Sequence, residues 1–279
     1  MTIKEKLLLF ANELFSISDN NLREFAARLI INAPEYFFTV PASSSGKYHP
    51  YFAREEGGLV KHTRCVVFYA ICNAESFDFT QNEKDLLIIA AIAHDINKQG
   101  IPNFERRKAH TVWEHPELAS EYILKMQTKY PHLISIENAK QIANAVLCHM
   151  GKWAHHPEYV KNKKQYPMPN TLFENALQSA DYIASRTELT GFYFKETDEL
   201  IEKVNILSIM IDYEKEKETI SPSDYVITFG KYKGETIKEI YLKDDEYITW
   251  VFNCKDFSNK KAYEMICEFL KNEKNLVFS

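Results

Sequence analysis

The sequence has few of the residues that interrupt helices. Only eight glycines and ten prolines occur among 279 residues, and apolar residues recur at three- and four-residue spacing in many windows. This pattern predicts a mainly α-helical fold. The five cysteines are odd in number and form no Cys-x-x-Cys pair, which disfavours a disulfide framework and favours free thiols in a reducing cytoplasm.

Long apolar runs and a strong positive charge are also absent. No uninterrupted apolar stretch approaches the ~18 residues of a membrane span, so no membrane partner is expected. The first apolar run is broken by Asn12 and Glu13, which is not the pattern of a signal peptide. The formal net charge of −5 excludes a protein that coats duplex nucleic acid by bulk charge.

Hydrophobic periodicity places most of the chain in helices. Helices are predicted at 2–16, 20–33, 59–75, 82–96, 116–128, 135–149, 171–187 and 196–216. Residues 34–57 hold three prolines, three serines and two glycines, and they predict a long irregular loop. Loops of this length inside a compact domain are often functional.

The pattern changes after Ser221-Pro222, where a β-like stretch and a Gly-Lys-Tyr-Lys-Gly turn precede further helix. We therefore expect a helical bundle followed by a small α+β module. The predicted parts are N-terminal helices packing on the bundle at 1–35, the bundle domain at 36–190, a helical connector at 191–220 and the C-terminal module at 221–279.

Two acidic residues lie where burial is expected. Asp95 follows the apolar run IIAAIA, and Asp181 lies in a helix between Ala180 and Ile183. A buried carboxylate is costly unless it is paired or coordinates a cation. Taken alone, a histidine on an apolar face is more often a hydrogen-bonded core residue than a ligand. The combination of these acids with several histidines predicts a divalent metal site that suits Mn, Fe, Zn, Ni or Co better than Ca.

The order His62, His94-Asp95, Asp181 resembles that of the HD-domain metal-dependent phosphohydrolases, which are all-helical. The run HDINK at 94–98 is close to the family's common His-Asp-Ile-Gly-Lys, with Asn97 in place of glycine. The resemblance implies that these four residues hold one ion. His115 and His149 match the extra histidines of two-metal members, which implies a second ion and a bridging role for Asp95. One or two ions of Mn, Ni, Fe, Co, Mg or Zn are expected. Met150 stands where some two-metal members have a second consecutive histidine.

Several further residues are candidates for contact with substrate. The loop segments PAS at 41–43, KYH at 47–49 and GGLVKHT at 57–63 resemble the entry loop of the HD domain in 3′–5′ exoribonucleases. Lys98 lies four positions after His94, so both can face one side and the ammonium could hold a phosphate oxygen. Asp95 and Lys98 are therefore the catalytic candidates. The substrate-binding candidates are Lys47, His49, Arg54 and His110.

Residues 229–252 resemble the small domain behind the nuclease domain of exodeoxyribonuclease X. Phe229, Gly230, Lys231, Tyr232, Gly234, Tyr247 and Trp250 carry this similarity. Its Lys-Tyr-Lys turn and Trp250 could stack a base and hold a phosphate. Alternatively, the aromatic residues form only the core of a folded appendage.

The two resemblances imply a metal-dependent hydrolase of a nucleotide or oligonucleotide phosphoester, either a phosphodiesterase or a 3′–5′ exonuclease-like enzyme. The rivals within this class are a deoxynucleotide and a cyclic-nucleotide phosphohydrolase. A catalytically inactive HD protein that binds nucleotides or nucleic acid is a different alternative, and a di-iron redox enzyme is a third. A nucleotide or single-stranded nucleic acid is the expected partner, with a homo-oligomer as a further possibility.

Overall fold

The structure, a computed structural model, describes residues 1–43, 49–101, 110–160, 163–186, 221–254 and 259–277. The chain divides into two compact units, Met1–Met210 and Ile211–Ser279. The predicted helical connector at 191–220, with its helix at 196–216, lies outside the described residues. Within the described ranges, no helix has the length and apolar character that a membrane crossing requires.

The first unit is a bundle of α-helices. In chain order they are α1 (Ile3–Leu8), α2 (Ala11–Phe15), α3 (Asn20–Ile31), α4 (Gly58–Ser76), α5 (Gln81–Ala93), α6 (His115–Lys129), α7 (Ile136–Cys148), α8 (Pro157–Val160) and α9 (Leu172–Ala184). Short 3-10 helices occur at Glu35–Phe38, Tyr51–Ala53 and Gly151–His155. The mainly α fold is therefore confirmed, and the predicted helices that correspond to α3–α7 and α9 are confirmed to within a few residues.

Two predicted helices differ from those observed. The single helix expected at 2–16 is two helices, because the backbone of Phe10 leaves the helical region at φ −118° and ψ 19°. The helix expected at 82–96 ends at Ala93. His94 and Asp95 therefore lie in the turn that follows α5 rather than in its last helical turn.

The centre of the first unit is α5. Every residue from Leu86 to Ala93 is at most 2% exposed, which explains its near-continuous apolar sequence. Helices α4, α7 and α9 pack around α5, and α4 also packs along α9. Helices α6 and α7 form the most extensive helix pair of the unit. Burial of this aliphatic surface is the main source of the unit's stability.

The N-terminal helices are attached to the bundle through a buried acid on α5. Asp85 is 1% exposed, and its carboxylate accepts hydrogen bonds from the backbone amides of Ser18 (3.1 Å) and Asp19 (2.9 Å). These residues precede α3, and Asp19 is its N-cap. Because a buried carboxylate must be hydrogen-bonded, Asp85 fixes where α3 lies on α5.

The second unit is small and mostly helical where it is described. It contains α10 (Ile237–Lys243), α11 (Asp245–Asn253) and α12 (Lys260–Val277). The predicted β character is an isolated antiparallel bridge between Val226 and Thr236. The hydrophobic core of the second unit consists of Ile227, Ile237, Ile240, Ile248, Val251, Ala262, Met265, Ile266, Phe269 and Leu270. Tyr232 and Tyr247 pack against this core, whereas Trp250 is 56% exposed.

Candidate metal centre

Six residues predicted as metal ligands come together at one end of the bundle. His62 lies within α4, His94 and Asp95 follow α5, His115 begins α6, His149 follows α7, and Asp181 lies on α9. All four histidines are at most 5% exposed, and Asp95 is 2% exposed. The candidate centre therefore combines residues from five helices or their ends.

The two carboxylate oxygens of Asp95 face different pairs of histidines. Oδ2 lies 3.9 Å from His62 Nε2 and 3.3 Å from His94 Nε2. Oδ1 lies 3.5 Å from His115 Nε2 and 3.8 Å from His149 Nε2. The structure thus contains two clusters that could each hold a metal ion, one formed by His62, His94 and Asp95 and the other by Asp95, His115 and His149.

Asp181 adds a second carboxylate beside the first of these clusters. Its Oδ1 atom lies 3.1 Å from His62 Nε2 and 3.8 Å from His94 Nε2. The Asp181 side chain is 23% exposed, in contrast to 3% for Asp95. Asp181 therefore lies at the open side of the cluster, where it can contact both an ion and a molecule in the adjoining cavity.

Backbone carbonyls fix the ring orientation of three histidines. The Nδ1 atoms of His94, His115 and His149 each lie 2.7 Å from the carbonyl oxygens of Ala91, Val112 and Val146, respectively. Because a carbonyl only accepts, Nδ1 must carry the proton and Nε2 keeps its lone pair. This is the arrangement that orients imidazoles as metal ligands.

Some buried polar atoms in this cluster lack hydrogen-bond partners among the residues that the structure describes. They are both ring nitrogens of His62, Nε2 of His94 and Oδ1 of Asp95. Unpaired buried polar atoms are costly, and imidazole nitrogens with carboxylate oxygens are ligands that suit divalent transition metals. The residues present therefore fit a divalent ion.

The electrostatic environment keeps most of these groups in the protonation state that a metal needs. Burial lowers the pKa of His62 and of His149, and it lowers the pKa of His115 to about 3. Burial alone would raise the pKa of Asp95, but Lys98 and His94 hold it well below its usual value. His94 is the exception: burial opposes its protonation, but Asp95 and Asp181 raise its pKa overall. Neutral imidazoles and ionised carboxylates are the metal-binding forms.

Lys98 and the turn after α5 are held in place by local contacts. The ammonium of Lys98 forms an ion pair with Oδ2 of Asp95. The hydroxyl of Tyr36 donates to the carbonyl of Gly100 (2.6 Å) and accepts from the amide of Gln99 (3.2 Å). Tyr36 thereby fixes the end of the turn that contains both Asp95 and Lys98.

The predicted substrate-binding residues have different positions. The His49 ring packs edge-on against His62, with 4.9 Å between ring centroids, and His49 lines the cavity beside the centre. Burial, with the nearby charges of His62 and Lys98, lowers the pKa of His49 to about 2. Arg54 Nε donates to the His49 carbonyl (2.7 Å) and does not itself line this cavity. His110 is exposed and also outside the cavity lining, and Lys47 lies outside the described residues.

A cavity of about 350 Å³ opens beside the metal clusters. Its walls include residues that the sequence reasoning missed. Most of them lie on connecting segments or near the end of α9, whereas Gln178 lies within α9. The additional side chains that matter here are Trp113, Trp153, Lys163, Gln178, Tyr182 and Arg186. The sequence did carry one signal for them, since Trp113 and Trp153 lie close to His115 and His149.

Comparison with known families agrees with this arrangement. Residues 59–186 match the HD domain, and residues 227–255 match the exodeoxyribonuclease X-like C-terminal domain. No curated protein and no solved structure matches the chain significantly. The HD match spans all six candidate ligands, and HD domains are typical of metal-dependent phosphohydrolases. The chain thus carries an HD domain followed by an exodeoxyribonuclease X-like C-terminal domain.

Proposed function

We propose that the protein is a metal-dependent phosphohydrolase that cleaves a phosphoester of a nucleotide or of a single-stranded oligonucleotide, as a phosphodiesterase or 3′–5′ exonuclease-like enzyme. The observation that carries this proposal is the position of the Asp95 carboxylate. Its two oxygens face two separate histidine pairs. A carboxylate shared in this way suits a two-metal centre, which is a common arrangement for phosphoester cleavage.

Each residue of the centre has a proposed role. His62, His94, Asp95 and Asp181 would hold one divalent ion, while Asp95, His115 and His149 would hold the other. When bound, such ions supply Lewis acidity and activate water for attack on phosphorus. Mn, Ni, Fe, Co, Mg and Zn are the candidate ions.

Two further side chains are placed to contact the phosphate. Lys98 lines the cavity next to Asp95, and its ammonium can donate to a non-bridging phosphate oxygen. His49 lies over His62, and its buried Nδ1 atom has no hydrogen-bond partner in the described part of the chain. With its proton on Nδ1, His49 would donate to a phosphate oxygen beside the clusters and so bind and orient the substrate. The predicted roles of Lys47, Arg54 and His110 stay predictions.

The cavity size favours a second candidate within the same class. A volume of about 350 Å³ lies near the lower end of the ~300–1,000 Å³ that small-molecule sites span. It suits a single nucleotide unit, and a deoxynucleotide or cyclic-nucleotide phosphohydrolase is therefore the alternative to an enzyme that acts on strand ends.

The test is hydrolysis of bis-p-nitrophenyl phosphate in the presence of Mn, Mg, Ni or Co, followed by a panel of nucleotides and oligonucleotides with identification of products. We expect metal-dependent activity that is lost in Asp95→Asn. The matched control is His132→Ala, which removes an exposed histidine outside the centre. A folded, metal-loaded protein that is inert on the whole panel would instead support a nucleotide- or nucleic-acid-binding role.

A further inference from the structure

Two indole side chains border the cavity close to the second histidine pair. Trp113 lies two residues before His115, and Trp153 lies four residues after His149. Both are partly buried. An aromatic side chain at the wall of a polar cavity offers a flat apolar surface to a ligand ring.

Trp113 is fixed in position by its neighbours. Its Nε1 atom donates to the carbonyl oxygen of Lys164 (2.7 Å), and its ring lies 6.3 Å from that of Tyr166. The ammonium of Lys163 lies 4.6 Å from the Trp113 ring centroid. A ring that is already oriented loses little conformational freedom when a ligand stacks on it.

The cavity also contains cations that the metal centre does not use. Arg186 is folded over Tyr182, with Cζ 4.1 Å from the ring centroid, and its Nε donates to the Tyr182 carbonyl (3.1 Å). In the described part of the chain, neither Arg186 nor Lys163 has a carboxylate partner. Among the described residues of the cavity wall, the acidic ones are Asp95 and Asp181, both in the candidate metal centre. The rest of the wall is therefore suited to an anion that carries an aromatic ring.

We propose that this cavity is a nucleobase-selective nucleotide site. The base stacks on Trp113 and Trp153, and Arg186 and Lys163 bind a phosphate adjacent to the one at the metal centre. The inference rests on the proposed function and narrows its substrate class to nucleotides with an intact base. A free nucleotide and the terminal nucleotide of a single strand present the same chemistry to these residues, whereas a base-free sugar phosphate does not.

The first experiment compares AMP with ribose 5-phosphate, which carry the same phosphate with and without a base. Calorimetric titration of the metal-loaded full chain gives both dissociation constants, and chromatography verifies that the ligand is recovered intact. Loss of a stacked base weakens binding roughly 5- to 150-fold. We therefore expect AMP to bind at least about fivefold more tightly. Equal binding of the two ligands would overturn the proposal.

Variants then assign the preference to the two indoles. Trp153→Leu and Trp113→Leu should each reduce AMP affinity towards that of ribose 5-phosphate while leaving ribose 5-phosphate binding within about threefold of wild type. Trp153→Phe retains an aromatic face and should retain most of the preference, which separates stacking from a folding defect. Phe77→Leu, which changes an exposed aromatic residue outside the cavity wall, is the matched control and should leave both affinities unchanged. If Trp113→Leu and Trp153→Leu both keep the wild-type preference for AMP over ribose 5-phosphate, the base does not stack on these indoles.

Two further comparisons test the phosphate contacts of Arg186 and Lys163 and ask whether the ligand is a free nucleotide or a strand end. ADP should bind more tightly than AMP in the wild type, and Arg186→Gln or Lys163→Gln should remove this advantage. If the ADP advantage persists in both variants, the proposed phosphate contact is wrong. A 5′-phosphorylated oligo(dA) pentamer that binds more tightly than dAMP identifies a strand end as the source, whereas equal affinity identifies a free nucleotide.

Failure of this site and failure of the proposed hydrolase give different results. If AMP and ribose 5-phosphate bind equally while bis-p-nitrophenyl phosphate is hydrolysed, the base site is wrong and the hydrolase stands. If AMP is preferred through Trp113 and Trp153 but no phosphoester is cleaved, the base site stands and the hydrolase is wrong.

Discussion

The Nε2 atom of His62 lies 3.1 Å from Oδ1 of Asp181, although the two residues belong to helices far apart in the sequence. Direct packing of α4 on α9 brings them together. Asn73 of α4 holds this packing through hydrogen bonds from Nδ2 to the carbonyl of Ala176 and to Oγ of Ser179, both 2.9 Å long. The geometry of the first metal cluster therefore depends on how α4 and α9 pack.

Replacing Asp181 with asparagine tests this cluster. The substitution keeps the shape of the side chain but removes the negative charge beside His62 and His94. We expect divalent-metal affinity to fall by more than the ~10–100-fold that loss of an outer partner of a metal ligand costs, with a parallel loss of hydrolysis. Calorimetric titration with Mn²⁺ measures the effect.

The control for Asp181→Asn is Asn175→Ala, which changes an exposed residue on the same helix. Its metal affinity should equal that of the wild type. Wild-type affinity in Asp181→Asn itself would exclude Asp181 as a ligand.

Gly151 permits close packing between the end of α7 and α9. Its φ of +53° is in the left-handed region, and a Cβ atom there would lie 2.9 Å from Cγ of Gln178. Gly151→Ala should destabilise the protein by about 1–3 kcal/mol through backbone strain and overpacking. It should also weaken the second metal cluster, because His149 is two residues away. Urea unfolding and metal titration measure the two effects.

Gly234→Ala is the comparison for Gly151→Ala. Gly234 has φ +97°, but no atom of the described residues lies within 4 Å of an added Cβ atom. It should therefore show backbone strain without a steric clash and without any change in metal affinity. If Gly151→Ala binds metal as the wild type does, packing at this position does not control His149.

The clustering of the six candidate ligands could be predicted from the sequence because these residues have distinctive local contexts. His94-Asp95 follows the most apolar helix, and a carboxylate at that position needs a compensating partner. The prediction that Asp95 and Asp181 lie near the same imidazoles agrees with the distances of both acids from His62 and His94. Hydrophobic periodicity identified the helices that carry or precede these residues, since their buried faces repeat at helical spacing.

The cavity wall could not be predicted in the same way. Trp113 and Trp153 lie on irregular or 3-10 segments, where periodicity does not indicate which direction a side chain takes.

The helix break at Phe10 was also missed, because the residues on both sides of it are good helix formers and no glycine or proline marks it. The predicted substrate contact of Arg54 stays a prediction; in the structure its Nε atom donates to the His49 carbonyl.

A buried ion pair attaches α2 to α4. Nε of Arg64 lies 2.9 Å from Oε1 of Glu13, and the two side chains are 7% and 10% exposed. Glu13→Ala leaves the Arg64 charge without this partner and should cost about 3–5 kcal/mol in the free energy of unfolding. Chemical denaturation measures this cost.

The comparison for Glu13→Ala is a pair that is open to solvent. Glu235 and Lys243 lie 2.8 Å apart with side chains that are 33% and 55% exposed. Glu235→Ala should cost less than ~1 kcal/mol, because solvent screens the pair. If the two substitutions lower the free energy of unfolding equally, burial does not increase the contribution of the Glu13–Arg64 ion pair to stability.

The second unit should lose stability in acid through Asp244. The Tyr232 hydroxyl (2.6 Å) and the Lys231 ammonium (2.9 Å) donate to this carboxylate and lower its pKa from 3.8 to about 2. Because the pKa is lower in the folded state, this stabilisation is present above about pH 4 and is lost as the pH falls towards 2. Methyl resonances of Ile240 and Ile248, in the core of this unit, report its unfolding.

In Asp244→Asn, the stability of the second unit should fall less between about pH 4 and pH 2, because the variant has no carboxylate to protonate at this position. Asp224→Asn, at an exposed position in the same unit, should retain it. An unchanged acid transition in Asp244→Asn would show that another group is responsible.

The number of bound ions tests the central interpretation most directly. Metal analysis of the protein equilibrated with Mn²⁺ should give two ions per wild-type chain, one ion in His115→Ala, and a severe loss of both in Asp95→Asn, with His132→Ala matching the wild type. This result follows if the two oxygens of Asp95 serve two separate clusters. Full metal content in Asp95→Asn, or no tightly bound metal in the wild type, would contradict it.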